Sequence, residues 1–212
     1  MSMTRRTAGA ASAGRRKRGR SSDSDTQVRW LIIGAIGIFI AIIALVIFMN
    51  VRNELPVAGE QMLESQGNLH IEVGTRSPMI YNSTPPASGL HYGGLADWGV
   101  HSEPVPYELL IHNLEDGGVI VYYQCADGCV ETVDELKAIL APYISRGDHV
   151  VLAPNDPAWL DAQGTPYHKD MGAPIAVVAW QRVLKLDAVD TERINAFIQR
   201  YEGLDHHVAG TG

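Results

Sequence analysis

A run of twenty residues without a charged side chain, WLIIGAIGIFIAIIALVIFM from Trp30 to Met49, constrains the fold more than any other feature of the sequence. At about 1.5 Å of rise per residue, a helix of this length matches the roughly 30 Å hydrocarbon core of a bilayer. Backbone groups inside lipid must be hydrogen-bonded internally, so a helix is expected despite the many β-branched residues. The sequence therefore predicts one transmembrane helix over residues 30–49, with the lipid bilayer as its partner.

Positive charge is concentrated on one side of this segment. Residues 1–29 contain eight of the 17 Lys and Arg residues, whereas Arg52 is the only basic residue among the twenty that follow Met49. The positive-inside rule therefore predicts a disordered basic cytoplasmic tail over 1–29 and an extracytoplasmic remainder, held in the cell membrane by a single pass. A cleaved signal peptide is the alternative, but its apolar region usually spans only about 7–15 residues and ends in a small-residue cleavage site.

The remainder of the chain is acidic. Residues 30–212 carry 9 Lys and Arg against 22 Asp and Glu, a formal charge of −13, so nucleic acid is not an expected partner of the outer domain. We expect a juxtamembrane stalk over 50–80, with a short helix near 60–66 and a short strand at 70–73. A globular domain over 81–203 and a loose tail over 204–212 follow.

Regular patterning begins at Glu108. The stretch ELLIHNLEDGGVIVYY predicts a strand, a turn at Asp116 and the two glycines after it, and a buried strand over 119–123. Apolar residues at helical spacing then predict a helix that ends before Gly147. Strands are expected over 149–153, 174–180 and 182–186, and a final helix capped by Asp190 is expected over 191–201.

The order of these elements resembles the thioredoxin-like arrangement. Residues 119–203 give strand, C-x3-C, helix, strand, loop, proline, strand, strand and helix. Pro174 stands where thioredoxins keep a cis-proline that faces the cysteine pair. We therefore expect an α/β fold, with a single N-terminal transmembrane helix and one extracytoplasmic thioredoxin-like α/β domain. A generic α+β domain whose elements share this order is the alternative.

Cys125 and Cys129 are the only cysteines. In an oxidising compartment they could form a structural disulfide that closes a five-residue loop. They could also form a low-pKa thiol pair at a helix N-terminus, able to exchange disulfides or to hold Cu(I). The C-x3-C spacing is similar to that of Sco-like copper-delivering proteins, which also need a distant histidine, and His149 and His168 are available for that role.

Histidines and acids form a second constellation. His91, His101 and His112 lie within 22 residues, close to Glu115, and imidazole and carboxylate groups are common metal ligands. Their irregular spacing favours no particular metal, and hydrogen bonds to loop backbone would account for the same histidines without one. His206 and His207, in the predicted loose tail, could capture only stray metal.

Signatures of common enzyme classes are absent. The sequence contains no G-x-S-x-G, P-loop, G-x-G-x-x-G, H-E-x-x-H or EF-hand pattern, so hydrolase, nucleotide-dependent and calcium-loop functions have no support. No catalytic residue is assigned, and the sequence leans against an enzyme.

Several separated motifs resemble a bacterial family, domain of unknown function 3105. They are PPASGLHY at Pro85–Tyr92, HNLEDGG at His112–Gly118, the cysteine pair and APIAVVAW at Ala173–Trp180. The resemblance implies a singly anchored extracytoplasmic protein. It points to a set of functional or structural positions: Ser88, Gly89, His91, His112, Asn113, Glu115 and Gly117. Asp116 stands where the family shows a second histidine, and Ala126 and Val130 replace the prolines of a CPxGCP motif.

Two functions follow as hypotheses. In the first, the outer domain handles copper or thiols through Cys125 and Cys129, with His91, His112 and Glu115 as a nearby metal site. In the second, the protein is a non-catalytic accessory or assembly subunit of a membrane-protein complex, and the cysteine pair is a structural disulfide.

Overall fold

The structure, a computed structural model, describes residues 22–125 and 129–207, with side chains over 26–47, 55–125 and 129–207. It divides into two units, Met1–Arg52 and Asn53–Gly212. Helix α1 (Ser22–Glu54) contains every described residue of the first unit, and its segment Thr26–Ile47 is apolar and long enough to cross a membrane. Residues 22–29, which the sequence predicts to be part of the disordered tail, belong to this helix. A helix extends at little cost once it is nucleated. The rest of the predicted tail lies outside the described residues.

The second unit is a mixed α/β domain built on a six-stranded sheet with strand order β1-β8-β7-β5-β6-β4, beside a two-stranded sheet of β2 and β3. Its elements in chain order are β1 (Glu60–Met62), β2 (His70–Ile71), β3 (His91–Tyr92), β4 (Gly99–Val100), α2 (Tyr107–Glu115), β5 (Val119–Tyr123), α3 (Val130–Arg146), β6 (Val150–Pro154), β7 (Ile175–Ala179), β8 (Arg182–Leu186) and α4 (Thr191–Tyr201).

Strand β5 is the centre of the large sheet. It pairs in parallel with β6 and antiparallel with β7, and β7 pairs antiparallel with β8. Successive side chains of a strand point to opposite faces. Val119 and Val121 accordingly pack in one core with residues of α3 and α4. Ile120 and Tyr122 pack in a second core with residues of α2. The sheet therefore lies between two helical layers.

The two long helices follow their sequence signals. Helix α3 begins directly after Cys129 and ends before Gly147, whose φ of 81° gives the left-handed cap that glycine favours. Helix α4 begins after Asp190, whose side chain accepts a hydrogen bond from the Arg193 amide. It buries Ile194, Phe197 and Ile198 completely, and each such side chain contributes about 1.5–3 kcal/mol through burial. These predictions, like those of strands β5 to β8, are confirmed.

The predicted strand after Glu108 is wrong, because Tyr107–Glu115 is a helix. Leu114 lies four positions after Leu110 and three after Ile111, so the three apolar residues share one helical face. The chain turns directly into β5 through Gly117 and Gly118. The helix thus packs its apolar face against the sheet and sends its C-terminus to the beginning of the central strand.

The predicted stalk is part of the globular unit. Val57 belongs to the core, β1 pairs antiparallel with β8, and β2 pairs in parallel with β3. The helix predicted near residue 60 is therefore a strand, because pairing with β8 satisfies its backbone groups. Residues 204–207 are not a loose tail either, since backbone bonds hold them beside α2. Residues 208–212 lie outside the described part of the chain.

Candidate metal centre

Four side chains converge at the end of α2. They are His70 from β2, His91 from β3, and His112 and Glu115 from α2 itself. One nitrogen or oxygen atom from each lies within 4.8 Å of the corresponding atoms of the others. His91, His112 and Glu115 are buried, whereas His70 is exposed. The cluster therefore has a buried floor and one side that is open to solvent.

The local fold explains why these residues meet. His70 and His91 are register partners in the parallel pair of β2 and β3, so their rings lie side by side with centroids 4.9 Å apart. His112 and Glu115 are three positions apart on α2, which places them on the same face of the helix. The centroid of the His112 ring is 5.1 Å from that of His70 and 5.2 Å from that of His91.

His91 and Glu115 form a buried pair at the floor of the cluster. Nδ1 of His91 lies 2.7 Å from the carbonyl oxygen of Gly89, which can only accept, so Nδ1 carries a proton and donates it. Nε2 of His91 lies 2.9 Å from Oε2 of Glu115. Burial lowers the pKa of His91 below its usual 6.5, although the hydrogen bond to Gly89 and the charge of Glu115 act in the opposite direction, and the neighbouring His112 and His70 lower it slightly further. At this distance a proton lies between the two atoms, and a cation that displaced this proton would take both atoms as ligands.

Three further contacts concern the potential ligand atoms of Glu115, His70 and His112. The side-chain amide of Asn68 donates to Oε1 of Glu115 at 2.8 Å, which leaves Oε2 facing the histidines. Nε2 of His70 lies 3.8 Å from this Oε2 atom. Nδ1 of His112 is buried and has no hydrogen-bond partner among the described residues. An unpaired buried nitrogen costs about 1–3 kcal/mol, whereas metal binding would satisfy a ring nitrogen.

This set of three imidazoles and one carboxylate fits a transition-metal ion. Zn²⁺, Cu²⁺, Ni²⁺ and Fe²⁺ all bind such nitrogen and oxygen ligands. Ligand atoms around an ion at about 2.0–2.2 Å lie roughly 3 Å apart. The 2.9 Å distance between His91 and Glu115 already meets that requirement, and small side-chain movements would bring in the other two ligands. The bond from His91 to Gly89 is the kind of outer contact that fixes a ligating imidazole.

The cysteines lie elsewhere. Cys125 and Cys129 form a disulfide, with Cα atoms 5.8 Å apart, between the C-terminal end of β5 and the beginning of α3. Glu115 precedes the other end of β5, and a strand of five residues spans roughly 17 Å. The site of His91, His112 and Glu115 that the sequence predicts near the cysteines is therefore at the opposite end of β5, so the two sets of side chains do not share one ion.

The two histidines considered as distant copper ligands have other roles. Nδ1 of His168 accepts a hydrogen bond from the Asp156 amide, and its Nε2 donates to the carbonyl of Val105, so no lone pair remains for a metal. The His149 ring stacks on Trp98 with centroids 4.5 Å apart. His101 contacts the carbonyl oxygen of Asp97 and belongs to neither group of potential ligands among the described residues.

The loop that carries His91 depends on two small residues. The buried hydroxyl of Ser88 accepts a hydrogen bond from the Gln66 amide at 3.0 Å. Gly89 has a φ of 118°, and a Cβ atom there would lie 3.0 Å from Sδ of Met79 and 3.1 Å from a ring carbon of Tyr81. These residues hold the Gly89 carbonyl in place beneath His91.

Three further positions stabilise the surroundings. The Asn113 side chain accepts from the Ala96 amide and donates to the Ala96 carbonyl, which fastens the preceding loop to α2. Gly117 has a φ of 77° and packs against the backbone at Leu204. The Pro174 carbonyl accepts from the Gln124 amide, beside the disulfide. Its preceding peptide bond is not cis, unlike the thioredoxin proline; the cis bond within the described residues is Thr84–Pro85.

Sequence reasoning missed several residues of the site. His70 and Asn68 lie in the region expected to be a stalk, and His207 lies in the expected loose tail. Nε2 of His207 is 3.8 Å from Oε2 of Glu115, and His112, Asp116 and His207 form a second group of potential metal ligands. Asp116 thus offers a carboxylate at the position where the sequence departs from the histidine of the resemblance. The consecutive histidines His206 and His207 are the sequence feature that could have indicated this part of the site.

Comparison with known proteins places the chain in a family. The family model described as Protein of unknown function (DUF3105) matches residues 72–209, which include His91, His112, Glu115 and His207. No curated protein and no solved structure matches the chain. The matched region covers most of the α/β unit, and the chain belongs to the DUF3105 family.

Proposed function

We propose that this protein is a membrane-anchored metal-binding protein whose centre consists of His70, His91, His112 and Glu115. The observation that carries the proposal is the convergence of one ligand atom from each of these four side chains within 4.8 Å, with His91 Nε2 only 2.9 Å from Oε2 of Glu115 inside the protein. Such a site takes a divalent first-row ion. Copper is the candidate that we favour, because Cu²⁺ lies at the top of the affinity order for nitrogen and oxygen ligands.

The location belongs to the same proposal. We infer that α1 spans the cell membrane with its N-terminus in the cytoplasm and carries the α/β unit outside. The excess of Lys and Arg before Trp30 supports this orientation. A disulfide between Cys125 and Cys129 suits an oxidising compartment. An alkaline phosphatase fused to the C-terminus, which is active only outside the cytoplasm, should be active. An inactive phosphatase, together with activity of a fused reporter that works only in the cytosol, would overturn the orientation.

The α/β unit is proposed to be thioredoxin-like. Two features support this: the strand order β6-β5-β7-β8 with a parallel β5/β6 pair, and the position of α3 between β5 and β6. The disulfide at the junction of β5 and α3, and Pro174 just before β7, occupy the expected positions. The bond before Pro174 departs from this pattern.

The metal proposal is tested on the full-length chain in detergent micelles. The chain is first stripped of metal with a chelator, then titrated with Cu²⁺ or Zn²⁺, and the bound ion is measured by mass spectrometry after gel filtration. We expect tight binding by the wild type and at least a hundredfold weaker binding by His91→Ala and by Glu115→Gln. His101→Ala is the matched control and should bind as the wild type does. Equal binding by all four chains, or no binding at all, would refute the proposal.

A second candidate function is thiol–disulfide exchange. Cys125 borders a groove of about 530 Å³ whose walls include Tyr123, Pro154 and Asn155, so a substrate in the groove would lie beside Cys125. Cys129 directly precedes α3, and a helix N-terminus stabilises a thiolate. A reduction potential above about −250 mV would support exchange, whereas a much lower value indicates a structural disulfide. The role of an accessory subunit in a membrane complex stays a prediction.

A further inference from the structure

A second group of potential ligands, His112, Asp116 and His207, adjoins the buried centre. We propose that this group is the entry site of the centre: an ion binds there first and then passes inward along His112. The inference rests on the proposed metal-binding function and adds a route to it. It assigns a role to the C-terminal segment 203–207, which the proposed function does not use.

The geometry of the entry site is that of a three-ligand set. One ligand atom from each residue lies within 4.8 Å of the other two. Nδ1 of His207 is 3.4 Å from Oδ1 of Asp116, and Nε2 of His112 is 3.8 Å from the same oxygen. Two imidazoles and a carboxylate bind the same divalent first-row ions as the buried centre, with open positions left for water.

The backbone holds His207 at this place. The His206 amide donates to the carbonyl of Glu115, and the Gly203 amide donates to the carbonyl of Gly117, both at 2.8 Å. The segment therefore crosses the C-terminal end of α2, where the helix dipole favours a cation. Oδ1 of Asp205 lies 2.8 Å from the same Nδ1 atom of His207, so an ion that binds this nitrogen replaces its proton and gains the Asp205 carboxylate as a neighbouring negative charge.

Exposure falls steadily from the entry site to the centre. The side chain of His207 is 46% exposed, that of Asp116 is 26%, that of His112 is 11% and that of Glu115 is 1%. His112 belongs to both groups, and its buried Nδ1 has no hydrogen-bond partner among the described residues. Because Nε2 of His207 is only 3.8 Å from Oε2 of Glu115, an ion held by His112 can exchange Asp116 and His207 for Glu115 and His91 within one continuous cluster. The ion keeps its charge and oxidation state throughout this ligand exchange.

A competing route passes His70, whose side chain is 50% exposed. On that side the described residues offer a single imidazole, whereas the entry site offers three ligands and the negative end of a helix. A three-ligand site holds an ion long enough for the inner ligands to replace the outer ones. Removal of His207 should therefore slow loading even though His70 remains.

The test uses Co²⁺ as the probe, because its visible absorption reports the ligands that surround it. The full-length chain in detergent micelles is mixed with Co²⁺ in a stopped-flow instrument, and release is followed after addition of a chelator. In His207→Ala and Asp116→Asn we expect loading to be about tenfold slower, a change typical for loss of one contact at a metal site. Release should slow by the same factor, because a site that acts only on the route cannot change the equilibrium constant. His101→Ala is the control.

The outcomes are distinguishable from failure of the proposed function. No Co²⁺, Cu²⁺ or Zn²⁺ binding by the wild type would remove the metal centre itself. Normal binding with unchanged loading rates in His207→Ala would overturn only the entry site. A weaker affinity with an unchanged loading rate would also overturn it, since His207 would then be a permanent ligand.

Discussion

Nε2 of His91 lies 2.9 Å from Oε2 of Glu115, and both side chains are almost completely buried. The ring cannot turn away, because its other nitrogen donates to the Gly89 carbonyl. The carboxylate cannot turn away either, because Asn68 holds its second oxygen. Two potential ligand atoms are thus fixed at a distance suited to one ion before any ion arrives, and this preorganisation lowers the cost of binding.

Asn68→Ala should weaken metal binding without removing it. The substitution deletes the amide that donates to Oε1 of Glu115, so the carboxylate gains freedom to rotate. Loss of such an outer contact typically costs ten- to a hundredfold in affinity. The affinity of the full-length chain for Zn²⁺ should therefore fall by about that factor in a competition titration. Asn82→Ala is the control, since that amide donates to the Glu64 carbonyl instead. Equal affinities for the two variants would contradict the assignment of Asn68.

Gly117→Ala should destabilise the α/β unit more than Gly164→Ala. Both glycines have a φ of 77°, so a side chain costs each about 1–2 kcal/mol in backbone strain. A Cβ atom at 117 would also meet the Leu204 amide nitrogen at 2.8 Å, whereas nothing lies within 4 Å at 164. The steric clash should add about 1–3 kcal/mol. Urea unfolding followed by tryptophan fluorescence measures the difference, and similar midpoints for both variants would show that the segment after Gly203 is not packed there.

Helix α2 shows why the sequence predicts a strand where the structure has a helix. A helix at a protein surface shows an apolar and a polar face. In α2, however, the polar residues Glu108, His112 and Glu115 are buried as well as the apolar ones. Polar side chains turned inward disrupt the helical periodicity, and the short stretch resembled a strand. Two of these three residues, His112 and Glu115, belong to the candidate centre.

Long-range pairing set the other limit. Helices α3 and α4 and strands β5 to β8 carry local signals, namely periodicity, caps and buried runs, and they were predicted correctly. His70 becomes a neighbour of His91 only through a two-residue parallel pair, and β1 is a strand only because it pairs with β8. Neither pairing has a local signal, because the partners are distant in the sequence. The sequence predicts His91, His112 and Glu115 as metal ligands, which stays a prediction, and it gives no signal for His70 beside them.

Replacing both cysteines by serine should leave metal binding unchanged. The disulfide is at the opposite end of β5 from Glu115, so its loss removes no ligand of the candidate centre. A loop of five residues constrains few unfolded conformations, and its opening should lower the free energy of unfolding by about 2 kcal/mol. The Cys125→Ser, Cys129→Ser double variant is titrated with Cu²⁺ beside the wild type. If it loses the ion, the copper site lies at the cysteines and the histidine centre is not the binding site.

His168 should make the stability of the domain depend on pH. Burial lowers its pKa below the usual 6.5, and the positive charge of Arg76 lowers it further, although Asp156 and the hydrogen bond to the Val105 carbonyl act in the opposite direction. Above about pH 7 both the folded and unfolded states hold His168 neutral, so it contributes no pH dependence there. As the pH falls below about 6.5, the unfolded chain takes up a proton that the folded state resists, and stability decreases.

His168→Gln removes this proton uptake. The variant should be less stable than the wild type at pH 8 by about 1–3 kcal/mol, because the bond with the Asp156 amide or the Val105 carbonyl is lost. Between pH 7 and 5 its stability should decline less steeply, so the difference between the two proteins narrows. Urea unfolding of metal-free protein at several pH values measures both the stability difference at pH 8 and the decline of stability between pH 7 and 5. A constant or widening difference would mean that His168 takes up its proton equally readily in the folded state, and that its two backbone contacts do not hold the neutral form.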